Sequence, residues 1–212
     1  PHDARQCVRT FHAAMATLAK ESLGNPRWFE QMDEPSDEPD NPLTGARLRH
    51  AQQRLLKQAY QNAYTEDARF RALTHRLLKL PAPEEPPQGK AKAPLDACKL
   101  PGEFTALPLF ELLHGQIDFA ESLGIRLERL DVKALGCAPR ERDFIEAMQR
   151  FHQHFSALLQ SQGLISFNGA FAQLSEQLSS DGGKSGPALL ALSHLLIDEF
   201  QDISPQIVLW LQ

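Results

Sequence analysis

The sequence has 212 residues, which is enough for one domain of ordinary size or two small ones. Its 22 basic and 27 acidic side chains give a formal net charge of −5, which argues against a general polyanion binder but says nothing of local patches. The hydrophobic fraction of 42% suffices for a core, and no apolar run reaches the roughly 18–20 residues of a membrane span.

A helical pattern punctuated by glycine and proline runs through most of the chain and predicts a mainly α fold. Thr10 suits the N-cap of the first helix, and Glu66 and Asp67 favour the N-terminus of the third, because acidic residues stabilise a helix N-terminus. In chain order, helices are predicted at 11–23, 44–63, 65–80, 106–123, 139–162 and 166–178, the last of them capped by Ser166.

Two segments interrupt the helices. Residues 28–42 combine acidic side chains with three prolines and predict a solvated loop, and residues 81–103 are rich in proline and predict a linker without regular structure. The helix predicted at 139–162 has its apolar side chains three or four positions apart, which favours a core face over a base-stacking platform. These side chains are Phe144, Met148, Phe151, Phe155 and Leu158.

The C-terminal part changes character. His194–Ile197 is a short apolar run followed by Asp198 and Glu199, as in a buried parallel strand with acidic residues at its carboxyl end. Ligands of open α/β sheets bind beyond that end. Nucleotide hydrolysis needs one carboxylate to hold Mg²⁺ through water and another to orient or deprotonate the attacking water.

Three motifs resemble those of UvrD/Rep-type superfamily 1 helicases. Residues 196–202, Leu-Ile-Asp-Glu-Phe-Gln-Asp, resemble motif II, the Walker B element of that family. Residues 8–13, Val-Arg-Thr-Phe-His-Ala, resemble its Thr-Phe-His element, motif Ib, which contacts single-stranded DNA. Residues 163–167, Gly-Leu-Ile-Ser-Phe, resemble the Gly-Leu-Ile-Asp-Phe segment that precedes motif II. All three occur in the order of the family.

The resemblance implies an ATP-dependent DNA helicase or translocase that moves 3′ to 5′ along single-stranded DNA, with ATP and Mg²⁺ as cofactors. Asp198 would hold Mg²⁺ through water, Glu199 would act on the attacking water, and Gln201 would couple the nucleotide site to the DNA-binding motifs. Contact with single-stranded DNA would fall to Thr10, Phe11 and His12. At Ser166 the family commonly has Asp, and at Ile203 it has Thr or Ser, so local hydrogen bonds are expected to differ there.

The family's order of motifs also gives a domain assignment. Residues 1–24 would be a remnant of the RecA-like domain 1A, residues 25–186 a helical subdomain like 1B, and residues 187–212 a second 1A remnant with the Walker B strand and a helix. Because the chain starts at Pro1 and stops within an apolar helical pattern, we expect an excerpt of a longer protein whose Walker A loop precedes Pro1. Such an excerpt would be inactive alone, and its Walker B strand would be frayed, recruited by another chain or packed as non-strand.

A basic region lies within this otherwise acidic chain. Between residues 43 and 80, eight basic side chains face only Glu66 and Asp67. Both a solvated helix surface and a phosphate-contacting surface for duplex DNA fit this pattern. The candidate DNA contacts are Arg47, Arg54, Lys57, Arg71, Arg76 and Lys79.

Other functions fit the same residues. One alternative is a non-catalytic helical module that binds DNA or protein, and another is part of a helicase–nuclease. Three widely spaced cysteines without a Cys-x-x-Cys pair make a disulfide scaffold or a zinc finger unexpected, and they favour a cytoplasmic location.

Overall fold

The computed structural model describes residues 23–32, 48–83, 91–99 and 105–180, together with the single residues 20 and 205. These residues fall into two compact units. The larger unit holds residues 32–120 and 126–162, and the smaller one holds residues 1–31, 121–125 and 163–212, each over its described part only. Helices dominate the described residues, so the prediction of a mainly α fold is confirmed. The assignment of the chain to helicase subdomains stays a prediction.

The described helices and strands are as follows. The α-helices are α1 (His50–Glu66), α2 (Ala68–Leu78), α3 (Leu109–Ser122), α4 (Pro139–Ser161) and α5 (Phe167–Ser180). The strands are β1 (Arg27–Trp28), β2 (Ala97–Cys98), β3 (Leu107–Pro108) and β4 (Leu164–Ile165). Short 3₁₀ helices lie at Phe29–Gln31, Leu127–Arg129 and Val132–Ala134. Within the described residues, no helix is long and apolar enough to cross a membrane.

The boundary between α1 and α2 depends on Asp67. Its carboxylate accepts hydrogen bonds from the backbone N–H groups of Arg69 (2.9 Å) and Phe70 (3.0 Å), which have no partner within the helix. Helix α1 therefore continues through Thr65 to Glu66, three residues beyond its predicted end at 63. Helix α2 ends at Leu78, where Lys79 adopts a left-handed conformation with φ of 57°.

The proline-rich segment contains a short strand, contrary to the prediction that 81–103 has no regular structure. Strand β2 pairs antiparallel with β3 in the register Ala97 to Pro108. Ahead of β2, the side-chain amide of Gln61 donates to the carbonyl of Ala91 (2.7 Å) and accepts from the N–H of Ala93 (2.9 Å). One side chain on α1 thus satisfies both polar groups of a passing backbone segment, as a neighbouring strand would.

Aromatic rings form the centre of the larger unit. Tyr60 of α1 lies 5.6 Å from Phe70 of α2, 6.1 Å from Phe110 of α3 and 6.3 Å from Phe151 of α4, measured between ring centroids. These distances are typical of favourable aromatic pairs. The rings of Phe151 and Phe155 also stack, at 6.1 Å.

The apolar stripe on α4 belongs to the same core. Phe144, Met148, Phe151 and Phe155 are buried, so the prediction of a core face is confirmed for them. At the end of the stripe, Leu159 is buried and the predicted Leu158 is only half-buried. Because the helix turns 100° per residue, a stripe with a seven-residue repeat drifts around the helix axis. The last core position is therefore Leu159 and not Leu158.

The smaller unit is built on a parallel pair of very short strands. Strand β1 pairs with β4, with Arg27 opposite Leu164. Strand β1 begins a few residues after the predicted helix 11–23. The loop predicted from residue 28 is therefore wrong at its start, where β1 ends and a 3₁₀ turn follows. Ser166 caps α5 as predicted, because its Oγ accepts from the N–H of Gly169 at 3.0 Å. The predicted strand at 194–197 lies outside the described residues.

Removal of the Tyr60 hydroxyl tests the core. This hydroxyl is buried and has no hydrogen bond of normal geometry, and burial raises its pKa although the nearby Thr74 hydroxyl lowers it in part. We expect Tyr60→Phe to leave the free energy of unfolding unchanged or to raise it by up to about 1 kcal/mol, because no hydrogen bond is lost. Tyr60→Ala should lower it by about 3–5 kcal/mol, because it removes the ring.

Urea unfolding followed by circular dichroism measures both changes. A loss of 2 kcal/mol or more in Tyr60→Phe, on the order of a broken buried hydrogen bond, would show that the hydroxyl is bonded.

Candidate nucleic-acid interface

The predicted nucleotide-site residues lie outside the described residues. This holds for Asp198, Glu199 and Gln201, and for the predicted single-strand contacts Thr10, Phe11 and His12. Their roles stay predictions. Of the six cations predicted to contact duplex DNA, Arg47 is also outside the described residues, and the other five are placed by the structure.

The outer face of α1 presents basic side chains to solvent. His50, Arg54 and Lys57 are exposed and lie on one side of the helix, while the opposite side buries Leu55, Leu56 and Ala59. We call His50, Arg54 and Lys57 the α1 basic face. They lie on one side because positions three and four residues apart share a face. The predicted grouping of these three side chains is therefore present.

Lys57 has a defined position on this face. Its Nζ lies 5.7 Å from the centroid of the Phe110 ring, which is buried in the core. A cation over an aromatic ring is attracted by the negative face of the ring, and at an exposed site this contributes about 0.5–1 kcal/mol. The ring thus attracts the ammonium end of Lys57, while the residue as a whole stays exposed to solvent.

The structure places Arg71 in the interior, contrary to its predicted place on a basic surface. Its side chain is 5% exposed, and its Nη1 donates to the carbonyls of Tyr64 (2.8 Å) and Thr65 (3.2 Å). These carbonyls belong to the last turn of α1, which has no further helical N–H groups to bond. Arg71 therefore caps α1 and is not available to a phosphate group.

Arg76 is joined to α4. Its Nη2 donates to Asp143 at 2.7 Å, and on the same side of α2 the guanidinium of Arg69 makes two bonds to Glu146, at 2.8 and 2.6 Å. Both arginines lie at the contact between helices instead of forming an unpaired basic surface. Lys79 is exposed at the C-terminal end of α2.

The ion pairs between α2 and α4 continue at Asp67. Arg150 of α4 donates to Asp67 at 2.8 Å and to Glu146 at 3.3 Å. Burial alone would raise the pKa of Asp67, but hydrogen bonds from the Phe70 N–H and from Arg150 lower it below its ordinary value. The hydrogen bond from Arg69 likewise lowers the pKa of Glu146. Both carboxylates are therefore held in the charged form.

An open groove in the larger unit is lined by the same ions. It runs between α4 and the segment 130–133, and its charged lining residues are Arg69, Asp131, Lys133, Arg142, Glu146 and Arg150. Arg69 and Arg150 are bound to Glu146, and Arg142 donates to two backbone carbonyls. A ligand would have to displace these bonds, so we assign the groove a structural role. Among the described residues, no cluster of His, Cys, Asp and Glu side chains is placed to hold a metal ion.

Tyr64 and His75 form a pair that resembles a nucleophile and its base. The Tyr64 hydroxyl lies 2.7 Å from Nε2 of His75, and Nδ1 of His75 contacts the carbonyl of Pro81. Since a carbonyl only accepts, Nδ1 carries the proton, and in the neutral ring Nε2 accepts from the hydroxyl. Burial raises the pKa of Tyr64, against the partly opposing charge of Arg71, so the phenol stays protonated. The pair holds the C-terminal end of α2 and the segment after it.

The ion-pair partners on α4 were not among the residues predicted from the sequence. Asp143, Glu146 and Arg150 follow one another at intervals of three and four, on the side of the helix away from the aromatic stripe. That spacing complements the arginines of α2, which are seven residues apart. The spacing of these charged residues is therefore visible in the sequence. It indicates an ion-pair contact only when α2 and α4 are known to be neighbours.

Comparison of the chain with protein-family models, with curated proteins and with solved structures finds no match. The functional interpretation therefore depends on the residues themselves.

The lowered pKa values predict a loss of stability in acid. A carboxyl group whose pKa is lower in the folded than in the unfolded chain stabilises the fold above its unfolded pKa, and this is lost as the pH falls through the folded value. The ordinary values are 4.5 for Glu146 and 3.8 for Asp67. We expect the free energy of unfolding to fall between about pH 5 and pH 3.

In Glu146→Gln this dependence should be shallower, and the variant should lose about 1 kcal/mol at pH 7, as expected for a partly exposed ion pair. Glu128→Gln, at an exposed position, is the control. Urea titrations at each pH measure the effect, and equal pH profiles for the two variants would refute the assignment.

Proposed function

We propose that this chain is part of an ATP-dependent DNA helicase or translocase. The observation that carries the proposal is the sequence of residues 196–202, in which an apolar run ends in Asp-Glu-Phe-Gln-Asp. ATP hydrolysis needs a carboxylate near Mg²⁺ and a second one at the attacking water, and Asp198 and Glu199 supply both. Thr10, Phe11 and His12 take the role of the single-strand contact, and Gln201 couples the two sites.

The α1 basic face supports a role in binding duplex DNA. Phosphate groups are recognised by exposed cations, and Arg54 and Lys57 are exposed on the same side of one helix. Lys79 is a further exposed cation of the larger unit. The proposed surface is smaller than the sequence predicted, because Arg71 is buried and Arg76 is paired with Asp143.

A second candidate is a non-catalytic helical module that binds DNA. One observation favours it: the α1 basic face belongs to a unit with its own aromatic core, so it needs no nucleotide site to hold its shape. The two candidates differ in whether ATP affects DNA binding. A phosphate-binding loop of the type Gly-x-x-Gly-x-Gly-Lys-Thr upstream of Pro1 would favour the helicase.

Glu199→Gln tests the nucleotide site. In the full-length protein this change should abolish ATP turnover while ATP still binds, because the amide keeps the shape of the side chain but cannot act as a base. Steady-state phosphate release and nucleotide binding by fluorescence measure the two effects. Glu128→Gln is the matched control and should retain turnover. Steady-state hydrolysis by Glu199→Gln at the wild-type rate would refute the assignment.

Salt dependence tests the DNA surface. In Arg54→Ala and in Lys57→Ala, the slope of log affinity against log salt for a short DNA duplex should fall by about 0.7–0.9 each, one phosphate contact per cation. Arg76→Ala should not change the slope, because Arg76 is bound to Asp143. Fluorescence anisotropy with labelled duplex gives the slopes. An unchanged slope in Arg54→Ala and Lys57→Ala, or an equal fall in Arg76→Ala, would exclude the α1 basic face.

A further inference from the structure

The N-terminus of α5 receives a carboxylate from a distant part of the chain. The N–H of Phe167, the first residue of α5, donates to Oε1 of Glu30 at 2.9 Å, across 137 residues of sequence. Glu30 lies in the 3₁₀ turn that directly follows β1. The contact lies within the smaller unit and involves neither the predicted nucleotide site nor the α1 basic face.

Two groups share the first turn of α5. While Glu30 accepts from Phe167, the Oγ of Ser166 accepts from the N–H of Gly169 at 3.0 Å. Gly169 permits this approach, since a Cβ at that position would lie 2.9 Å from the same oxygen. Ser166 therefore supplies a hydrogen bond but no charge. The N-terminus of a helix carries a partial positive charge, which a carboxylate stabilises better than a hydroxyl does.

The same carboxylate connects the strand pair to the helix. The ring of Trp28, in β1, lies 4.9 Å from that of Phe167, and β1 is hydrogen-bonded to β4, which directly precedes Ser166. The ring contact and the strand pairing join the β1 segment to the β4–α5 segment over only a few residues. The bond from Glu30 adds a directional, charged link at the point where β4 gives way to α5.

We infer that Glu30 is a positioning residue that fixes the first turn of α5 against β1, by supplying the negative charge that the N-cap residue Ser166 lacks. The inference is independent of the proposed function. It makes a specific demand on Ser166: a carboxylate at position 166 would take over the role of Glu30 if Glu30 were neutral, and would repel Glu30 if it were charged.

Amide hydrogen exchange in the full chain, followed by NMR, tests this role. Glu30→Gln keeps an oxygen that can accept from the Phe167 N–H but removes its negative charge. It should therefore lower the protection of the Phe167 amide about five-fold, as expected when a charged acceptor becomes neutral, and that of the Gly169 amide, which stays bonded to Ser166, by less. Glu176→Gln makes the same chemical change further along α5 and should leave these two amides as they are. Equal effects of the two variants would overturn the inference.

Ser166→Asp separates positioning from a general structural role. In the Glu30→Gln background it should restore protection of the two amides, and in the wild-type background it should lower protection or leave it unchanged. A change of the same sign and size in both backgrounds would show that Glu30 does not act at this N-terminus. If Glu30→Gln alone does not fold, recovery of folding in the double variant supports the inference, and failure to recover overturns it.

Discussion

The larger unit depends on one contact: the meeting of four aromatic rings, one from each of α1, α2, α3 and α4. Tyr60 touches the other three, and Phe70 stacks on Phe151 at 6.4 Å. Each helix is amphipathic and is stable only when its apolar face packs against another helix. Because the rings converge on one point, they fix which side of each helix faces outward. The exposure of the α1 basic face is a consequence of the burial of Leu55 and Ala59 on the opposite side of the helix.

Charge in this protein is divided between two uses. Arg69 and Arg76 of α2 pair with carboxylates of α4 although both stay exposed, and the buried Arg71 bonds the end of α1. Arg54, Lys57 and Lys79 are exposed elsewhere on the surface. A count of basic residues along the sequence does not separate the two groups. The field that a nucleic acid would meet is therefore weaker than the local excess of basic residues indicates, and it is concentrated on one helix.

The sequence predicted the helices well where apolar spacing was regular and caps were local. The limits of α4 and its stripe followed from Pro139 and from side chains three and four residues apart. Two of the errors arose because the partner of a residue lies in another helix or strand. Arg71 has the spacing of a surface cation but bonds the carbonyls of another helix, and β2 needs β3 to exist. The motif residues Asp198 and Glu199 were predicted from sequence alone, and their geometry lies outside the described residues.

The ion pairs between α2 and α4 also select one alignment of the two helices. Arg69 pairs with Glu146 and Arg76 with Asp143, so the helices run antiparallel. A slide of α4 by one turn in either direction would bring an arginine opposite Arg69, because residues 142 and 150 are both arginine. Like charges at that distance repel, so a slide of four residues in either direction is disfavoured. Surface ion pairs that each add little to the stability of the fold can thus still determine how two helices are aligned.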